Sequence, residues 1–166
     1  MKFECTDELQ NFSFEDCIIK RFEATDSTVS FEVEALIVKP SNSQNPNYTE
    51  SYAGTALIRL IGGRLLSGRK EGFRYYDADD RLISVTPDEE LGPEQLREFP
   101  SRCKDAYLFR LEESSAGEGR VLLDISIEFP AEEEYASPND SDSYALTASC
   151  EKVIIGWDQY LNRVQR

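Results

Sequence analysis

The sequence predicts a mainly β protein, an antiparallel sandwich or open barrel built from hairpins, with one or two short helices. Three observations lead there. Apolar and polar residues alternate with period two through most apolar runs, as on strands with one wet face. These runs come in pairs joined by short polar turns. Only two stretches fit a helical period.

The first hairpin is expected at 18–38. In Val29-Ser30-Phe31-Glu32-Val33-Glu34-Ala35 the apolar residues share one face, and Ser30, Glu32 and Glu34 share the other. Thr25-Asp26-Ser27 turns the chain back onto the apolar run at 18–22. Residues 56–61 read as a strand that stops at Gly62-Gly63 and continues through 64–66 after a bend. Phe73-Arg74-Tyr75-Tyr76 and Arg81-Leu82-Ile83-Ser84-Val85 flank Asp77-Ala78-Asp79-Asp80 as a hairpin at 73–85. A third hairpin, 107–129, turns through 114–119 and returns with Val121, Leu123, Ile125, Ile127 and Phe129 on one face. A last long strand occupies 144–155.

The two helical stretches are 93–99, with Pro93 at a favoured first position and Pro100 as the stop, and 157–164. The latter places Trp157, Tyr160, Leu161 and Val164 on one face, although the preceding strand could extend through Trp157. The chain reads as a single domain, 1–166, with flexible internal loops near 40–54 and 130–142. The second of these combines five carboxylates with two prolines. Ile19-Lys20-Arg21-Phe22-Glu23 parallels Leu108-Phe109-Arg110-Leu111-Glu112, so the units 18–40 and 107–130 are candidates for an internal duplication.

Composition narrows the function. Hydrophobic residues are 40% of the 166 and charged residues 30%, the balance of a folded domain. Eighteen Lys and Arg against 32 Asp and Glu give a net charge of −14. Such a chain is repelled by phosphate backbones and anionic membranes and attracted to basic protein surfaces or cations. No apolar run approaches a membrane span, and Met1-Lys2-Phe3-Glu4 opens no secretory signal. A cytoplasmic location follows as the expectation, with Cys5, Cys17, Cys103 and Cys150 as reduced thiols. Histidine is absent, which removes Ser-His-Asp and Cys-His nucleophile activation and imidazole zinc sites. No cofactor signature is present, and neither cofactor nor metal is expected.

Several residues nevertheless merit a functional reading. Asp77, Asp79 and Asp80 resemble hard-cation ligands, but aspartates in hairpin turns also bond local N–H groups, and that reading is preferred. Arg59, Arg64, Arg69, Lys70 and Arg74 form one basic stretch, expected chiefly to pair with the protein's own carboxylates. Arg74 with Tyr75 and Tyr76 is the part most suited to binding a partner. Trp157 is a further aromatic anchor unless it belongs to the core. Glu32, Glu34, Asp124 and Glu128 would form an acidic sheet face if their strands are neighbours. Asp16 falls on the apolar side of its run and is expected to occupy a turn.

Phe12-Ser13-Phe14-Glu15-Asp16-Cys17-Ile18-Ile19 resembles the opening F-x-D-x-x-I strand of small, β-rich bacterial proteins, some of them proposed as toxin-immunity proteins. The serine or histidine often found beside that aspartate is missing here. The resemblance implies a β fold and a bacterial origin, and it carries over no binding residue. Together these readings predict a non-enzymatic protein-binding domain for a basic protein partner. An enzyme using carboxylates or a divalent metal, and a self-associating accessory domain, are the alternatives.

Overall fold

The computed structural model describes residues 1–130 and 142–163, so most of the acidic loop near 130–142 lies outside the described residues. The strands are β1 (Phe3–Thr6), β2 (Phe12–Ser13), β3 (Ile18–Ala24), β4 (Thr28–Glu34), β5 (Ile37–Val38), β6 (Ser51–Ala53), β7 (Ala56–Ile61) and β8 (Arg64–Lys70). They continue as β9 (Phe73–Tyr76), β10 (Leu82–Thr86), β11 (Glu89–Glu90), β12 (Tyr107–Gly117), β13 (Arg120–Phe129), β14 (Asp142–Cys150), β15 (Lys152–Trp157) and β16 (Tyr160–Arg163). One α-helix, α1 (Pro93–Glu98), occurs among the described residues. The fold is therefore mainly β and antiparallel, as the period-two pattern requires.

The main sheet has ten strands in the order β1-β15-β7-β4-β3-β12-β13-β14-β8-β11. Two long bent strands organise it. β7 and β8 run on through a bend at Gly62-Gly63, and β14 runs into β15 through Glu151. The two bent strands pair from Tyr144↔Lys70 at one end to Trp157↔Ala56 at the other. Gly62 at the bend has φ +64°, a conformation that costs a side-chain-bearing residue about 1–2 kcal/mol. The hydrogen-bonded path leaves β7 through β4, β3, β12 and β13 and returns to β8 through β14. The result is an open barrel. Its seam is β3–β12, where only Ile18↔Tyr107 are in register. Three bonds reinforce the seam: Ile19 N–H to Ala106 C=O, Asp105 N–H to Ile19 C=O, and Leu108 N–H to Cys17 C=O, at 2.8–2.9 Å.

The core is stacked in rows set by register. Phe22, Phe31, Ile58, Ile155 and Cys5 lie side by side across five strands, and all are buried. The Phe22 and Phe31 rings stack at 4.1 Å. On the other half Leu111, Ile125 and Leu146 form a matching row. A smaller sheet, β16-β6-β5-β2, packs beside the barrel. Trp157 joins the two. Its ring lies 5.7 Å from Phe3 of β1, 5.7 Å from Phe12 of β2 and 5.9 Å from Tyr160 of β16.

Three expectations are corrected. The 157–164 helix is not formed. Trp157 completes β15, and the chain turns into β16, because Trp157 pairs with both Ala56 and Phe3. Ala35 does not continue β4; it has φ +61° and turns the chain toward β5. The 107–129 hairpin turns only at the last two residues of 114–119, and the rest of that segment is strand. β12 runs to Gly117, and Glu118 and Gly119, both at positive φ, make a tight two-residue turn whose twist suits a hairpin. Two local expectations agree: α1 starts with Pro93 after Gly92, whose N–H donates to Gln95 Oε1 at 2.8 Å. Asp16 stands in a turn, where its Oδ2 accepts the Tyr52 hydroxyl at 2.8 Å.

The segment expected to be a flexible loop near 40–54 carries a polar network. Asn45 Nδ2 reaches the carbonyls of Val38, Lys39 and Thr49 at 2.9–3.1 Å. The Tyr160 hydroxyl donates to the Gln44 carbonyl at 2.7 Å. Burial alone would raise the Glu8 pKa. Hydrogen bonds from Ser43 Oγ, Ser43 N–H and Asn11 outweigh it and hold the carboxyl below its usual range. This ties the segment to the N-terminus.

Candidate binding surface

β9 and β10 form a separate two-stranded sheet. They leave the main sheet after β8 and return before β11, which pairs with β8 through Glu89↔Lys70 and Glu90↔Arg69. The hairpin thus projects from one edge of the barrel. Register partners share a face, so Arg74 and Tyr76 lie with Val85 and Leu82, while Phe73 and Tyr75 lie with Thr86 and Ser84. Ile83 occupies the irregularity between Leu82 and Ser84.

Exposure makes this surface unusual. Tyr76 is 54% exposed, Leu82 53%, Ile83 66% and Val85 51%. A half-buried strand would hide one of its two faces, and here neither face of β10 is covered. These large apolar side chains are concentrated on one element instead of scattered singly, which makes the hairpin the candidate surface.

The turn at the tip is stabilised internally. Asp77 accepts N–H groups from Asp79 and Arg81, each at 2.9 Å, and Asp77 N–H donates to Arg81 C=O. Asp80 adopts φ +60°. Asp77 is therefore committed to turn chemistry. Among the described residues, no group of three or more His, Cys, Asp or Glu gathers in a way that would hold a metal ion.

The other candidate residues do not come together. Arg74, Tyr75 and Tyr76 stand on the hairpin and are exposed. Trp157 is wholly buried, because it links the two sheets, so it is no surface anchor. Glu32 and Glu34 lie on β4, three strands away from Asp124 and Glu128 on β13, so the four carboxylates do not form one acidic face. Glu34 pairs with Lys20 at 3.7 Å. The basic stretch is largely spent on the protein's own carboxylates: Arg59 on Glu4, Arg69 on Asp88 and Lys70 on Asp142, at 3.4–3.6 Å.

Two clefts open on the surface away from the hairpin. One, of about 280 Å³, has an apolar floor of Leu9, Leu111 and Leu123 and a rim with Asp7, Glu112 and Glu113. Asp7 there accepts the Val153 N–H at 2.9 Å, and Glu112 pairs with Arg110 at 3.0 Å. The other, of about 430 Å³, carries a single carboxylate, Glu34. The second therefore lacks the pair of carboxylates that acid–base hydrolysis needs, and in the first Asp7 and Glu112 already hold partners within the protein.

All four thiols are buried and unpaired. Burial pushes Cys5 and Cys103 up to about 12 and Cys150 to about 11, and raises Cys17 as well. Thiolate is the reactive species, so these cysteines are protected twice, by access and by protonation. A disulfide-exchange reagent should label none of them rapidly in the native protein and all four after denaturation. A fast-reacting thiol in native protein would contradict this placement.

Leu82, Ile83 and Val85 are the exposed apolar residues of this surface that sequence reasoning did not single out. Period-two pattern cannot distinguish a strand on a core from one projecting into water. The usable signal was isolation: Gly72 and Pro87 bracket the hairpin, with acidic residues on both sides. No helix among the described residues is long and apolar enough to cross a membrane. Comparison with protein-family models, curated proteins and solved structures found no match.

Proposed function

We propose that this chain is a non-enzymatic protein-binding domain of the immunity or antitoxin type, which masks a basic surface of its partner through the β9–β10 hairpin. The observation that carries the reading is the exposure of Tyr76, Leu82, Ile83 and Val85 together on one projecting element. Interfaces draw most of their energy from a few buried aromatic and apolar anchors, and this hairpin supplies them. Burying one such aliphatic side chain is worth about 1.5–3 kcal/mol. The charge of −14 supplies the second part, faster encounter with a cationic surface and rejection of acidic ones.

Affinity capture from lysate of the source cells should compare the native chain with Tyr76→Ser/Leu82→Ser/Val85→Ser. The expected result is a basic protein retained by the native chain, weakened by salt and lost with the variant. Retention by the variant, or binding insensitive to salt, would reject the hairpin or the electrostatic partner respectively.

A further inference from the structure

β10 pairs with β9 alone, and among the described residues no other strand lies along its outer edge. Folded proteins usually blunt such an edge with lysine, proline or a very short strand, because its free N–H and C=O groups template further pairing. Leu82-Ile83-Ser84-Val85-Thr86 has neither proline nor charge and high strand propensity, and its one irregularity, at Ile83, leaves Ser84-Val85-Thr86 as a regular edge. β9 differs, since Arg74 places a cation on its edge.

The charge around the hairpin selects the occupant. Residues 71–90 hold seven Asp and Glu and only two basic residues, Arg74 and Arg81. A second copy paired through β10 would bring two such acidic sets together, and like charges across an interface oppose pairing. An extended cationic segment meets attraction instead.

We infer that β10 accepts an extended lysine- or arginine-bearing segment of the partner protein as a third strand beside the hairpin. This rests on the hairpin-docking reading above and adds its mode: backbone hydrogen bonds give affinity, and alternate side chains read Leu82, Val85 and the acidic surroundings.

The test uses the full chain and a short synthetic peptide alternating lysine and valine. Its companions are the same peptide with alternate backbone amides N-methylated, and one with glutamate for lysine. Two-dimensional NMR should show shifts confined to 73–86 and slowed amide exchange in β10. N-methylation should weaken binding by about tenfold or more. The glutamate peptide should not bind. Val85→Thr, which keeps strand propensity, should weaken binding less than Val85→Lys. Equal binding of the N-methylated peptide would overturn strand addition while leaving side-chain docking on the hairpin intact. Shifts outside the hairpin, or a dimer at working concentration that excludes the peptide, would also overturn it. Loss of peptide binding together with failure of the capture experiment would remove both readings.

Discussion

Replacing Trp157 with alanine is expected to lower stability by about 3–5 kcal/mol, the range for truncating a large buried aromatic residue. Trp157 is fully buried and packs against both sheets at their junction, where Phe3 of β1 also meets Tyr160 of β16 at 5.0 Å. It extends the register row of Val33 and Ala56 in the main sheet. Its ring also contacts Phe12 and Tyr160, which belong to the strands of the smaller sheet. The truncation therefore leaves a cavity at the junction, where the two sheets have no common hydrogen-bonded ladder to draw them closed. Domains are stable by only about 5–15 kcal/mol, so the loss is a large share of the whole. Urea denaturation followed by circular dichroism is the appropriate measurement, since the variant lacks the chain's single tryptophan. The midpoint should fall with the slope unchanged. A loss under about 1 kcal/mol would mean that the junction closes around the gap and that Trp157 is not its keystone.

Trp157 also shows what the sequence could and could not convey. Alternation in Val29-Ser30-Phe31-Glu32-Val33 placed β4 and its inward face correctly, because a period of two is a local property of the chain. Turn chemistry was equally local: Asp77 bonds the N–H groups of its own turn, and Pro93 opens α1. The 157–164 stretch failed for the opposite reason. Trp157, Tyr160, Leu161 and Val164 fit a helical face, yet the competing signal was pairing with Ala56 and Phe3, residues far away in sequence. The proposed acidic face of Glu32, Glu34, Asp124 and Glu128 failed likewise, since strand order is a nonlocal fact and β3 and β12 separate those strands. The hairpin residues Tyr75 and Tyr76 were found through residue type. Their neighbours Leu82, Ile83 and Val85 were not, because apolar residues on a strand ordinarily imply a core.

Substituting Gly72 with alanine is expected to detach the hairpin while leaving the barrel folded. Gly72 stands in the neck, between the last pair of the hairpin, Phe73↔Thr86, and the first pair beneath it, Lys70↔Glu89. Its N–H donates to Asp88 Oδ1 at 2.7 Å across the neck. A Cβ at this position would lie 1.9 Å from the Thr86 carbonyl oxygen and 2.6 Å from the Pro87 carbonyl carbon. Both are backbone atoms, so no rotamer change relieves the contact and the two sides of the neck must part. The cost is bounded by the hairpin's own stability. β10 is exposed along its whole length, so opening it surrenders little of the core. Amides within 73–86 should exchange about tenfold faster or more, which corresponds to roughly 1.4 kcal/mol of local opening. The urea midpoint of the remainder should move far less than for Trp157→Ala, and capture of the basic partner should be lost. Gly117→Ala is the control, because a Cβ there meets nothing within 4 Å. Unchanged exchange across 73–86 in Gly72→Ala would show that the neck is not held closed at this glycine, whereas faster exchange with undiminished capture would separate hairpin order from partner binding and move the docking site elsewhere.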